Sequence, residues 1–168
     1  MKTATDSESF VLLELDGTTY GVRSRFVQHL EMVENVTPVP NARPSVEGVV
    51  FSRGEVVPAV NLRTRFGFAR TPHDIHSRLV VVNVGSRTVG LIVDSAREFI
   101  KIPASEVQPP PEALSNLSSN YLDGVAILGK RMVMILNLTE LINGLDDSGP
   151  IVPRDAKAQK DAQPQQAN

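Results

Sequence analysis

Between residues 9 and 145 apolar and polar positions alternate in short runs, and those runs are rich in β-branched side chains. A period of two, punctuated by Gly, Pro and Asp, predicts many short strands. Phe10, Val11, Leu12, Leu13 and Leu15 make the first run, and Thr18 to Val22 return from it. The intervening Asp16 and Gly17 supply the positive φ that a two-residue hairpin turn needs. A second hairpin is predicted from Leu79 to Val84, through Gly85, and back from Thr88 to Val93. Further strands are predicted at 46–51, 56–60, 96–102, 124–128 and 132–136, with the prolines at strand ends or between strands. Helix is confined to short pieces. Asn137 with Glu140 three residues on is a capping-box pattern that opens a helix over about 138–144. Asn61 opens a shorter turn of the same kind, stopped by Gly67.

These segments repeat. A shift of 76 residues lays 48–62 on 124–138 and makes Gly48/Gly124, Val49/Val125, Val57/Val133, Asn61/Asn137 and Leu62/Leu138 identical. The hairpins align at a shift of 69, through Val11/Val80, Thr19/Thr88 and Gly21/Gly90. The difference places about seven extra residues in the second half, in the Pro-rich stretch 109–123. Two copies of about five strands imply two small barrels, because closure removes the exposed edges of a loose meander. The first lobe is expected at roughly 9–78 and the second at 79–145. Residues 1–8 and 146–168 carry too little apolar material to offset the entropy of ordering, and are expected to be disordered tails.

Composition removes several classes of function. Cys is absent, so there is no disulfide, thiolate zinc site or thiol nucleophile. No apolar run reaches the ~20 residues of a membrane span, and the first residues lack the apolar core of a signal peptide, so a cytoplasmic protein is expected. A net charge of −2 argues against nucleic acid, although Arg63, Arg65 and Arg70 interleaved with Phe66 and Phe68 could imitate a stacking surface. His73 and His76 are spaced for a metal, but in a polar linker after Pro72. Asp94 ends an apolar strand with no base or nucleophile at a useful spacing. No phosphate loop, nucleophile elbow or dinucleotide fingerprint is present. Neither catalytic residues, nor a metal, nor a cofactor are expected.

The series Tyr20-Gly21-Val22, then 46–63 with its Gly48, Arg53-Gly54, Pro58 and Leu62-Arg63, then 89–94, then 121–126 resembles the CheW-like family of chemotaxis coupling proteins. The resemblance covers about residues 9–145 and is most specific in the block around Arg53. It implies a mainly β fold of two intertwined SH3-like five-stranded barrels with a short C-terminal helix. It also implies a non-enzymatic adaptor that joins the cytoplasmic tip of a chemoreceptor to the regulatory domain of a CheA-type histidine kinase. Nucleic acid and direct membrane insertion have no part in that reading, and the implied location is cytoplasmic, in receptor arrays at the inner face of the membrane.

The partner-binding residues so implied are Val27, His29, Leu30, Gly48, Arg53 and Val56. Arg53 stands at a strand-to-strand turn, where a planar fork of five donors suits bidentate capture of a partner carboxylate. Val27, Leu30 and Val56, if exposed together, would form an apolar patch of the kind that carries binding energy. Gly48 matches Gly124 as a backbone requirement of closure, and the resemblance adds a groove kept open for a receptor helix. A charge introduced at Gly48 is expected to weaken docking with the fold intact. The chain departs from the family pattern at His29, where an acidic residue is common, at Asn61, where Asp is common, and at Phe51-Ser52, where the family usually has Asn-Leu. Asn and Asp cap helices equally well, so little structural consequence is expected at position 61.

Overall fold

The two hairpins that are apolar on both faces lie at the centre of the molecule. In a computed structural model, which describes residues 6–112 and 121–146, the strands are β1 (Ser7–Leu15), β2 (Thr18–Arg23), β3 (Val27–Met32), β4 (Val46–Ser52), β5 (Glu55–Asn61), β6 (Arg78–Val84), β7 (Arg87–Val93), β8 (Ser95–Pro103), β9 (Val107–Gln108), β10 (Leu122–Leu128) and β11 (Arg131–Leu136). Two helices, α1 (Leu62–Arg65) and α2 (Leu138–Asn143), follow β5 and β11. Ser7 and Glu8, expected in the tail, instead extend β1 against Pro103 and Ile102. The expectations for 147–168 and for 1–5 fall outside the described residues. Pro58 lies within β5 rather than at its end, one residue before the β5–β7 ladder begins at Ala59.

Neither sheet is contiguous in the chain. One has the order β8-β1-β2-β11-β10-β9 and the other β3-β6-β7-β5-β4, so each half lends its first hairpin to the other half's barrel. The lending joints are parallel ladders, Ile135 on Gly21 in one barrel and Ala59 on Gly90 in the other. These are the same positions under the shifts of 69 and 76. The equivalence extends through the registers. Val46↔Val60 and Gly48↔Ala59 around a bulge repeat as Leu122↔Leu136 and Gly124↔Ile135, and Val27↔Val82 and His29↔Val81 repeat as Ala96↔Leu13 and Glu98↔Leu12.

Exchange explains why β1 and β6 are apolar on both faces. Phe10 and Leu12 point into one barrel with Ile102, Ala126, Val133 and Ile135, while Leu79 and Val81 point into the other with Val50, Ala59 and Ile92. Their neighbours Val11, Leu13, Leu15, Val80, Val82 and Val84 face a third core between the barrels, completed by Leu62, Leu138, Leu141 and Ile142. Fully burying each such side chain contributes about 1.5–3 kcal/mol, so the central core fixes how the barrels sit. Arg65 of α1 donates to the carbonyl of Gly144 at 2.9 Å, and Arg87 of β7 donates to that of Ile142 at 3.2 Å, holding the end of α2 from the opposite barrel.

Asn61 and Asn137 do cap α1 and α2, accepting from the amides of Thr64 at 3.2 Å and Glu140 at 3.0 Å. The capping box at Asn137 is half made, because its own amide donates to the carbonyl of Tyr121. The other half of each asparagine has a second use. Asn61 Nδ2 donates to Glu47 at 2.5 Å and Asn137 Nδ2 to Asp123 at 2.9 Å, each carboxylate being the extra residue of its β-bulge. Aspartate at position 61 would set a carboxylate against a carboxylate, so the expectation that Asn and Asp are interchangeable here is corrected.

Candidate functional site

Three of the six expected partner-binding residues lie on β3, an edge strand whose alternation is weak because Gln28, His29 and Glu31 interrupt it. Val27 and His29 are half-buried and Leu30 is exposed. With Val11, Ala96, Arg97, Glu98 and Phe99 they line a groove of about 400 Å³ between β3 of one barrel and β8 of the other. Leu30 and Phe99 are equivalent under the shift of 69, so the groove is built from both halves of the duplication.

Arg53 and Val56 lie on the β4–β5 hairpin, both exposed. Val56 is paired directly with Phe51, and the two are 65% and 74% exposed, an apolar pair turned wholly to solvent. Arg53 has φ 48° and Gly54 φ 85°, a turn that ordinarily takes Asn or Gly first. The equivalent first position in the second barrel is indeed Gly129, φ 66°. Ser52 joins the hairpin to the groove. Its hydroxyl donates to Glu31 Oε2 and lies 3.0 Å from His29 Nε2, which is itself 2.6 Å from the same oxygen. Burial pushes the Glu31 carboxyl up, but hydrogen bonds from Ser52 and His29 and the charges of His29 and Arg53 outweigh it, and its pKa lies below the ordinary value. The face around His29 therefore keeps a carboxylate, supplied two residues along the same side of β3. This Ser-His-Glu cluster is not a nucleophile triad, because one ring nitrogen meets both partners and the buried Ser52 directs its proton to the acid.

Gly48 is not part of this surface. It is buried in the β4 bulge at φ 153°, and a Cβ there would stand 2.0 Å from the carbonyl oxygen of Thr37. A charge at Gly48 would break the closure that Thr37 and Val49 make, so the expectation of an intact fold is corrected. The rival chemistries are dispersed as well. Arg63 holds Asp94 through two hydrogen bonds of 2.8 and 3.0 Å, and Asp94 also accepts from the amide of Asp16. Arg65 is buried, and Phe66 and Phe68 pack on the central core, so no stacking surface forms. His73 lies 3.1 Å from Glu47 and His76 lies 3.7 Å from Asp74; among the described residues no three potential ligands converge.

Glu47 carries a second pH signature in the first barrel. Burial raises its pKa, yet hydrogen bonds from Asn61 and His73 and the charges of His73 and Arg70 bring it below 4.5. A depressed carboxylate adds stability that is complete above its unfolded pKa and is lost as pH falls through the folded value. Unfolding titrations of the native protein should therefore lose stability as pH falls below about 4.5, and Glu47→Gln should flatten that loss. An unchanged acid limb in Glu47→Gln would remove Glu47 from the account.

What remains is a duplicated, strand-exchanged pair of barrels whose conspicuous features are exposed apolar patches and a groove between the barrels. A CheW-like domain pattern matches residues 9–146, and the chain belongs to that family of non-enzymatic chemotaxis adaptors. It is 30% identical over 139 residues to the chemotaxis protein CheW of Klebsiella aerogenes, covering 83% of this chain and 84% of that one. It is 25% identical over 140 residues to protein FrzA of Myxococcus xanthus, covering 83% and 88%. The crystal structure of scaffolding protein TtCheW from Thermoanaerobacter tengcongensis superposes with a TM-score of 0.72 at 26% identity, covering 77% of this chain and 88% of that one. No helix among the described residues is long and apolar enough to cross a membrane.

The sequence reading missed Phe51, Phe99, Ile127 and Met132. The shifts of 69 and 76 could have found the second-barrel residues, since they carry Leu30, Phe51 and Val56 onto Phe99, Ile127 and Met132.

Proposed function

We propose that this adaptor couples the cytoplasmic tips of chemoreceptors to the regulatory domain of a CheA-type histidine kinase, in the cytoplasm at receptor arrays. The observation that carries this reading is the adjacency of two unlike surfaces, the groove of Val27, Leu30, Ala96 and Phe99 and the hairpin face of Phe51, Arg53 and Val56. The groove suits a receptor helical hairpin, which would lay apolar side chains spaced by three and four residues against Leu30 and Phe99. The hairpin face suits the kinase domain, with apolar contact through Phe51 and Val56 and a carboxylate taken by Arg53. Arg53 keeps a left-handed backbone at some cost, and its guanidinium makes no hydrogen bond among the described residues; an outlier of this sort favours a role outside the fold. The Ser52–His29–Glu31 cluster ties the two surfaces to one rigid edge. The adaptor then acts by position: a change in the receptor alters which kinase arrangement the shared geometry favours, through different contact energies in the two states.

The test is binding of the purified chain to a receptor tip fragment and, separately, to the kinase regulatory domain. Arg53→Ala should weaken the kinase contact about five- to tenfold with an unchanged circular dichroism spectrum. Undiminished binding of Arg53→Ala to the kinase domain would count against the assignment of that face, and binding to neither partner by the native chain would end the proposal.

A further inference from the structure

The groove between the barrels is built twice over from one set of positions. Residues 27–30 on β3 and 96–99 on β8 all line it, and the shift of 69 carries each of the first four onto one of the second four. Strand exchange is reciprocal, β1 pairing β8 as β6 pairs β3, and β2 meeting β11 as β7 meets β5. Each contact thus has its counterpart, which is the signature of a two-fold relation between the halves. A two-fold that exchanges the walls of a groove also reverses its long direction. An apolar helix laid there meets nearly the same surface whichever way it runs, unless the walls differ in charge.

They differ at one free pair. Gln28 and Arg97 are the extra residues of equivalent bulges, and a bulge re-aims side chains, which lets four consecutive residues line each wall. Val27 with Ala96, and Leu30 with Phe99, stay apolar on both walls. His29 and Glu98 are each already engaged, His29 at 2.6 Å from Glu31 Oε2 and Glu98 by Arg131 at 2.7 and 3.1 Å. Gln28 and Arg97 are both exposed, and Arg97 has no hydrogen bond or ion pair among the described residues.

We propose that Arg97 sets the direction in which a receptor helix lies in the groove, by taking a carboxylate from one end of its docking face. The inference rests on the groove being the receptor footing. The guanidinium fork holds a carboxylate through two parallel hydrogen bonds, while Gln28 offers an uncharged amide in the equivalent place. One direction brings the acid to Arg97 and the other brings it to Gln28, so the preference is the difference between those two contacts. The carboxylate comes from the occupant, because the one acid among the lining residues, Glu98, is held by Arg131. The helix that fits has apolar anchors three and four residues apart and an acidic side chain at one end of them only.

A receptor tip fragment with a photoreactive benzophenone at one end of its docking helix reads the direction. Mass spectrometry of the captured chain reports whether residues 27–30 or 96–99 are labelled. The native chain should be labelled on one wall at least about tenfold over the other. Arg97→Gln puts the same residue on both walls, and should bring the two yields within about twofold and weaken binding about five- to tenfold. Gln28→Arg combined with Arg97→Gln should restore the affinity and move the label to the opposite wall. Circular dichroism should be unchanged throughout, since both positions are exposed. Labelling that stays on the native wall in the exchanged variant overturns the proposal, because the apolar pairs would then set the direction. Equal labelling of both walls by the native chain overturns it too, and in both cases the groove still holds the receptor. A fragment that labels neither wall removes the receptor footing and this inference together.

Discussion

Gly48→Ala should cost the protein about 3 kcal/mol, the largest loss expected from any single methyl group in it. The added carbon would meet the Thr37 carbonyl oxygen at 2.0 Å, its carbon at 2.6 Å and Pro38 Cα at 2.9 Å, all of them backbone, with nothing flexible to yield. The residue also holds φ 153°, which side chains rarely adopt. Gly124 occupies the same bulge in the second barrel, and a Cβ there meets Gln108 O at 2.6 Å and the Val107 side chain at 2.8 Å. The collision is milder and half of it is with a movable methyl, so Gly124→Ala should cost less than Gly48→Ala. Gly17, at φ 82° with nothing within 4 Å, isolates the conformational part alone, about 1–2 kcal/mol. Thermal unfolding should therefore rank the three variants Gly48, Gly124, Gly17 in decreasing damage, with about 2–4 °C lost per kcal/mol. If Gly48→Ala melts with Gly17→Ala, the bulge is not what closes the barrel.

That the glycines and hairpins could be read from the chain, while the surfaces could not, has a physical basis. The turns at Asp16-Gly17 and Gly85, the caps at Asn61 and Asn137, and the alternation of β1 and β6 are local, and local chemistry is written in adjacent residues. Strand exchange is not local. The ladder between β2 and β11 joins residues more than a hundred positions apart, and a parallel edge leaves no mark on either strand alone. Only the double burial of the two hairpins hints at it, since a strand covered on both faces has no polar side to show. The same limit hid Phe51 and Phe99. An aromatic residue in an alternating run reads as core, and exposure appears only when its neighbours across the sheet are known. Arg53, Leu30 and Val56 are singled out only because the resemblance points at them, and all three are exposed. Glu47 and Asp123, which fix both asparagine caps, were passed over because the extra residue of a bulge breaks the very alternation by which strands are read.

Leu30→Asp combined with Phe99→Asp should weaken capture of a receptor tip about a hundredfold, and either change alone about tenfold. Both side chains line the groove between the barrels and both are exposed in the free protein, so a carboxylate at either place is hydrated until a partner arrives. Docking an apolar helix would then strip water from two charges with only Arg97 and His29 as basic groups among the groove's lining residues, and that desolvation opposes binding where leucine and phenylalanine favoured it. Affinity for the kinase regulatory domain should fall far less, because neither substituted side chain lies on the β4–β5 hairpin that carries Phe51, Arg53 and Val56. Arg53→Ala should show the opposite pattern. Crossed selectivity of this kind is what a bridge with two separate footings requires, since a single shared surface would lose both partners to either change. Equal loss of both partners in the groove variants, with native circular dichroism, would mean that receptor and kinase compete for one site, and a protein of that design could not hold them in a common geometry.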